Sequence, residues 1–134
     1  MPKQVITSAN APTTGFTPGQ SVSPLAQAIR HGNMLFLSGQ GSLDPSTGEV
    51  VPGDIEAQTR QTLDNLMTIL EAAGATSKNI VNMRVILRDV ADFPRFNETF
   101  REYFAGEKVT RTCFGGVLHW AGIDIEIDCI AMFD

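Results

Sequence analysis

Apolar side chains along the chain switch between two spacings, and the switches mark out the elements. Ala28-Ile29-Arg30 and Met34-Leu35-Phe36-Leu37-Ser38 flank His31-Gly32-Asn33, which predicts two short strands joined by a glycine turn. Leu63, Leu66, Met67 and Leu70 then fall on one face of a helix, with Asp54 as its N-cap and Gly74 as its left-handed stop. From Ile80 to Leu87 the pattern alternates. It predicts a half-buried strand with Val81, Met83, Val85 and Leu87 on one side and Asn82, Arg84 and Arg88 on the other. A second helix is expected from about Asp92 to just before Gly106, with Pro94 in its first turn and a stripe of Phe93, Phe96, Phe100, Tyr103 and Phe104. Two further strands, Val109 to Val117 and Ile123 to Met132, complete the pattern.

These elements predict an α+β fold, one sheet with both helices on one face, in a single domain spanning residues 1–134. The other sheet face carries Ile130 and Met132 beside Asp124, Glu126 and Asp128, a mixture that suggests self-association. Two stretches read as irregular: Asn10 to Pro24, and the turn chemistry of Asp44-Pro45-Ser46-Thr47-Gly48-Glu49 before Pro52-Gly53.

Composition narrows the function classes. With 43% hydrophobic and 19% charged residues, the chain is too apolar for disorder. A net charge of −5 disfavours a phosphate-binding surface, so nucleic acid is not an expected partner. No apolar run approaches the roughly 18–20 residues of a membrane span. Met1-Pro2-Lys3-Gln4-Val5 lacks the pattern of an export signal, and Cys113 and Cys129 are too few for a disulfide scaffold. A cytoplasmic protein with free thiols is the expectation.

Three polar residues sit where the apolar pattern would not put them. Asn97 shares the apolar stripe of the second helix, Arg111 alternates with Val109 and Cys113, and Glu126 points away from Ile125 and Ile127. A buried amide must find partners or cost roughly 1–3 kcal/mol. Periodicity alone still favours structural readings: Asn97 as a loop cap, Arg111 as a surface residue with a buried stem, and Asp124-Ile125-Glu126-Ile127-Asp128 as a solvated face. Those three acids could hold a hard cation, although alternate acids on a strand are usually solvated. Cys113 has no base paired with it by spacing, since His31 and His119 are the only histidines. There is no zinc spacing, no H-x-E…P-C-x-x-C signature, no G-x-G-x-x-G and no P-loop, and Lys3, Lys78 and Lys108 lie outside apolar settings. An enzyme with this sequence would work without metal or cofactor.

A set of short motifs changes the balance. Ser38-Gly39-Gln40, Asp44-Pro45, Thr47-Gly48-Glu49, Gln58-Thr59, Leu63 with Asn65, and Glu71-Ala72-Ala73-Gly74 are followed by Phe96-Asn97, Tyr103-Phe104, Arg111-Thr112-Cys113, Ile125-Glu126-Ile127 and Ile130-Ala131. In this order and spacing the chain resembles the RidA (YjgF) family of small enamine/imine deaminases. The resemblance implies a chorismate-mutase-like α+β fold, with a mixed six-stranded sheet and two helices on one face, assembled as a homotrimer with clefts between subunits. It further implies that Arg111 grips a substrate carboxylate, that Glu126 and the backbone carbonyl of Cys113 hold the attacking water, and that Ser38 and Asn97 line the pocket. The reaction would be cofactor-independent hydrolysis of a small enamine or imine acid, such as 2-aminoacrylate, to a 2-keto acid and ammonia.

The chain departs from the family pattern at several places. A Gly-Pro-Tyr-Ser-Gln segment reads Ser23-Pro24-Leu25-Ala26-Gln27, so Leu25 stands where the family has an active-site tyrosine. Gly15 to Ser21 is added length, bringing Phe16 toward the expected pocket mouth; Val109 replaces a proline, and His119-Trp120-Ala121-Gly122 replaces a basic turn. These changes leave open a relative acting on a bulkier enamine acid, as 2-aminomuconate deaminases of the family do, or a trimer that binds carboxylates without turnover. The ribonuclease activity sometimes attributed to the family is disfavoured by the acidic balance and the lack of a paired His–His or His–Lys site.

Overall fold

The computed structural model describes residues 2–12 and 23–134. The expected extra segment Gly15 to Ser21, with Phe16, lies outside the described residues. The strands are β1 (Gln4–Ile6), β2 (Ala28–His31), β3 (Met34–Gln40), β4 (Ile80–Leu87), β5 (Thr110–Gly115) and β6 (Ile125–Met132), and the helices are α1 (Ile55–Ala72) and α2 (Phe93–Phe104). They form one sheet in the order β1-β2-β3-β6-β4-β5. Only β4 and β5 pair in parallel, joined over one face by α2; the remaining pairs are antiparallel.

Local chemistry sets the element ends. Gly32 turns the β2–β3 hairpin at φ +61°, a conformation that costs other residues strain. The Asp54 carboxylate accepts from the Ala57 N–H at the start of α1. At its far end, Ala75 N–H donates to Leu70 C=O and Gly74 N–H to Glu71 C=O, with Gly74 left-handed at φ +80°. The Asp44 carboxylate accepts from the backbone of Ser46 and Thr47 and from the Ser46 hydroxyl, bonds that hold its pKa below the ordinary value and tighten the loop after β3.

Both helices cover the same sheet face. Leu63, Leu66, Ile69 and Leu70 of α1 and Phe96, Phe100 and Phe104 of α2 pack on Leu35, Leu37, Met83, Val85, Leu87, Ile125, Ile127, Cys129 and Ala131. Burying each of the larger side chains stabilises the fold by about 1.5–3 kcal/mol. The opposite face is uncovered in the single chain and leaves Phe36, Phe114 and Met132 exposed.

Three expectations are corrected and one strand is added. Val81 lies outside the core: pairing with β6 shifts between Ile80 and Asn82, so Val81 is the extra residue of a β-bulge and Ile80 is buried in its place. The strand expected from Val109 to Val117 ends at Gly115, where a Cβ would meet the Val90 side chain at 2.5 Å, and Val117 is 95% exposed. The strand expected from Ile123 begins at Ile125, because Ile123 packs with Leu43 and Leu118 in a small satellite cluster. β1 is an addition, three residues paired along β2.

Two buried amides of α1 tie the connections down. Gln58 donates to the carbonyls of Gly53 and Gly122 and to the Asp124 carboxylate, and accepts from the Asp124 N–H. Asn65 donates to the carbonyls of Gly41 and Leu43 and accepts from Gln61. These bonds fix the chain following β3 and the chain entering β6, the two segments that border the cleft described next.

Candidate active site

Alternation along β6 turns Glu126 and Asp128 to the uncovered face, opposite the buried Ile125 and Ile127. Glu126 lines a cleft of about 250 Å³ with Leu25, Ser38, Gly39, Leu118, His119 and Trp120. The Ser38 hydroxyl donates to the Ala26 carbonyl at 2.7 Å, which anchors the segment carrying Leu25 along β3. Gly39 brings bare backbone against the carboxyl group: a Cβ there would lie 3.0 Å from Glu126 Cδ and 3.2 Å from Oε2. Burial pushes the Glu126 carboxyl above its ordinary pKa, His119 pulls it down, and Asp128 adds to the upward push. A carboxyl raised above its ordinary value is a better proton acceptor than a solvated one.

Arg111 and Cys113 lie on the other face. In the parallel pairing Arg111 is opposite Met83 and Cys113 opposite Val85, both buried under the helices. The guanidinium donates to Asn97 Oδ1 at 2.9 Å and lies 4.8, 5.3 and 5.6 Å from the ring centroids of Phe100, Phe96 and Phe93. Asn97 therefore shares the aromatic stripe because it is the polar stop for Arg111, while the rings supply a cation–π cradle. Arg60, Arg84, Arg88, Arg95 and Arg101 all pair with carboxylates, whereas Arg30, bonded to the Gly32 carbonyl, and Arg111 have no ion pair among the described residues. A fork held rigid from behind and free of an internal anion is shaped to receive a carboxylate. The Cys113 thiol is pushed up by burial, which outweighs the pull of Arg111, so it is poorly disposed to act as a nucleophile.

The single chain thus divides the expected site residues into two groups. Leu25, Ser38 and Glu126 share the cleft on the uncovered face, and Arg111, Asn97 and Cys113 lie together on the helix-covered face. The remaining acids of the last strand are engaged elsewhere: Asp128 takes a bidentate pair from Arg84, and Asp124 is held by Gln58 and Arg88. Sequence reasoning missed His119, Trp120 and Gly39 as neighbours of Glu126. The departure at His119-Trp120-Ala121-Gly122 was the signal available for the first two.

In this two-layer α+β chain, an arginine cradled by phenylalanine rings and without an ion pair among the described residues lies on one sheet face, and a half-buried glutamate lies on the other. The sequence model of the endoribonuclease L-PSP family matches residues 17–133, and the chain belongs to this family, also known as RidA/YjgF. It is 42% identical over 129 residues to a RutC family protein of Pyrococcus horikoshii, covering 96% of this chain and 97% of that protein. It is 35% identical to the 2-iminobutanoate/2-iminopropanoate deaminase of Mus musculus, covering 97% and 91%. Among solved structures, the YjgF gene product of E. coli superposes with a TM-score of 0.85 at 34% identity over 98% of this chain and 99% of that one. E. coli TdcF with bound serine gives 0.85 at 30%, covering 98% and 99%.

Proposed function

We propose that the protein hydrolyses 2-imino acids, formed from their enamine tautomers, to 2-keto acids and ammonia, in a chorismate-mutase-like homotrimer whose sites lie between subunits. The observation that carries this reading is the Arg111 guanidinium, preset by Asn97 and three phenylalanine rings and without an ion pair among the described residues. Relatives named as 2-iminobutanoate/2-iminopropanoate deaminases in mouse and rat support the reaction class. Because Arg111 and Glu126 occupy opposite sheet faces, one substrate can meet both only if a neighbouring copy supplies one of them. The exposed Phe36, Phe114 and Met132 give the uncovered face a reason to associate.

In this reading Arg111 fixes the substrate carboxylate bidentately and Asn97 keeps the fork in place. Glu126, with the Cys113 carbonyl, holds a water against the electrophilic imine carbon. Water adds to that carbon while Glu126 takes its proton, forming a carbinolamine. The imine enters protonated, so the carbinolamine nitrogen is an NH2 group; the proton held by Glu126 passes to it, and as the C–N bond breaks and ammonia leaves, Glu126 takes the hydroxyl proton and the carbonyl forms. Holding nucleophile and electrophile at attack distance can lower the barrier by several kcal/mol, so no cofactor is required. Leu25, Leu118 and Trp120 give the cleft an apolar wall, which favours imino acids with larger side chains than alanine's.

The test is release of ammonia and keto acid from imines generated in situ by an amino-acid oxidase, across small and bulky side chains. Accelerated hydrolysis that disappears in Arg111→Ala is expected. No acceleration over buffer by the folded wild-type assembly would overturn the reading in favour of carboxylate binding without turnover.

A further inference from the structure

The loop between β5 and β6 is pinned by one residue. Arg88, just past β4, donates from Nε to the Ile123 carbonyl at 2.9 Å and from Nη2 to the carbonyls of Trp120 at 3.0 Å and Leu118 at 3.4 Å. Its own backbone N–H donates to the Asp124 carbonyl at 2.9 Å, and its guanidinium lies 3.5 Å from the Asp124 carboxylate. Leu118 and Ile123 are buried with Leu43, so both ends of the loop are seated in the satellite cluster. Between them, His119 and Trp120 border the Glu126 cleft, and the Trp120 ring meets the imidazole edge-on at 6.4 Å between centroids. A solvent-facing loop so heavily tied has its one basic side chain placed rather than left free.

The charged surroundings of Glu126 explain what such placement would do. On β6, Asp128 lies two residues on toward the same face and repels it; Arg84 of β4 is committed to Asp128 by a bidentate pair. Asp124 is bound by Gln58 and Arg88. The β3 neighbours in the cleft, Ser38 and Gly39, are uncharged, and Ile86 is the β4 partner of Glu126. Among the residues lining the cleft, His119 is the basic side chain that shares it with this carboxyl. Histidine is the side chain whose ordinary range brings its charge in near neutral pH.

We propose that His119 is a positioning residue for Glu126: the Arg88-pinned loop holds the imidazole in the wall of the cleft that this carboxyl lines, as its charge partner there. The assignment of a catalytic task to that carboxyl rests on the deaminase reading; the pairing itself does not.

The experiment is a carbon-13 NMR titration of glutamate side-chain carboxyls in wild type, His119→Asn and His119→Lys, with the Glu126 signal assigned by its loss in Glu126→Gln. His119→Asn should move the Glu126 midpoint up by roughly half a pH unit, and His119→Lys should return it to the wild-type value or below. The acid limb of kcat/KM for imine hydrolysis should move with it. His119 is exposed, so both substitutions spare the core, and unchanged melting temperatures would confirm that. Coincident Glu126 midpoints in all three proteins would overturn the pairing. The expected midpoints in a protein that hydrolyses no imine would instead sink the deaminase reading and leave the pairing standing.

Discussion

Gly39→Ala separates the position of the Glu126 carboxyl from the stability of the fold. Gly39 lies in β3 with no positive φ, so alanine meets no backbone strain there, and replacing a strand glycine is ordinarily neutral or stabilising by about 0.5–1 kcal/mol. What the new Cβ meets is one side chain: Glu126, with Cδ at 3.0 Å, Cγ at 3.1 Å and Oε2 at 3.2 Å. Ordinary contacts to a Cβ are longer, so the carboxyl must retreat by a few tenths of an ångström. It can do so, since the cleft beside it is open. A misplacement of 1 Å costs on the order of a hundredfold in rate, so a smaller retreat should lower kcat for imine hydrolysis about tenfold. KM should change little, because Arg111 on the other face is untouched. The assay pairs initial rates of ammonia release with thermal denaturation. Wild-type kcat with an unchanged melting temperature would refute the claim that the carboxyl must sit against bare backbone.

Other consequences follow from the same contacts. Glu126→Gln should abolish turnover yet raise the melting temperature near neutral pH. The wild-type carboxyl is pushed up on folding, so it favours the folded state below its unfolded pKa and loses that advantage as pH rises through its folded value. The gain in Glu126→Gln should therefore shrink as pH falls through the ordinary carboxylate range, which thermal scans at several pH values would reveal. Asn65→Ala leaves the Gly41 and Leu43 carbonyls without their donor and should cost about 1–3 kcal/mol in urea unfolding; a loss below half a kcal/mol would show that the loop after β3 is held otherwise. Cys113→Ser should retain hydrolysis within about threefold, because the thiol is held up by burial and only the backbone carbonyl is assigned a task; loss of turnover in a folded variant would contradict that.

How much of this was legible in the sequence depended on whether one residue or a pairing decided the outcome. The β2–β3 hairpin, the Asp54 cap, the Gly74 stop and the aromatic stripe from Phe96 to Phe104 are local, and the structure follows them, although Phe93 at the head of the stripe is exposed. Val81 could not be placed because strict alternation contains no sign of a bulge, which arises from how β4 registers against β6. β1 is too short to alternate and is a strand by virtue of pairing with β2. Alternation did predict that Arg111 points with its apolar neighbours and that Glu126 points away from Ile125 and Ile127. It could not reveal that these directions are opposite faces of one sheet, because that requires the order β6-β4-β5 and the parallel pairing of β5. The place of His119 in the Glu126 cleft was not legible for a similar reason: it is made by a loop that Arg88 folds back, not by spacing along the chain.

The central claim is that one site takes Arg111 from one copy and Glu126 from another, and complementation tests it most directly. Arg111→Ala and Glu126→Gln proteins, each inactive alone, are unfolded together in equal amounts and refolded, with mixing verified by native mass spectrometry. In a ring joined by identical head-to-tail interfaces, about a quarter of the sites regain both native residues, so roughly a quarter of wild-type hydrolysis should return. Mixed assemblies that stay inactive would contradict the account.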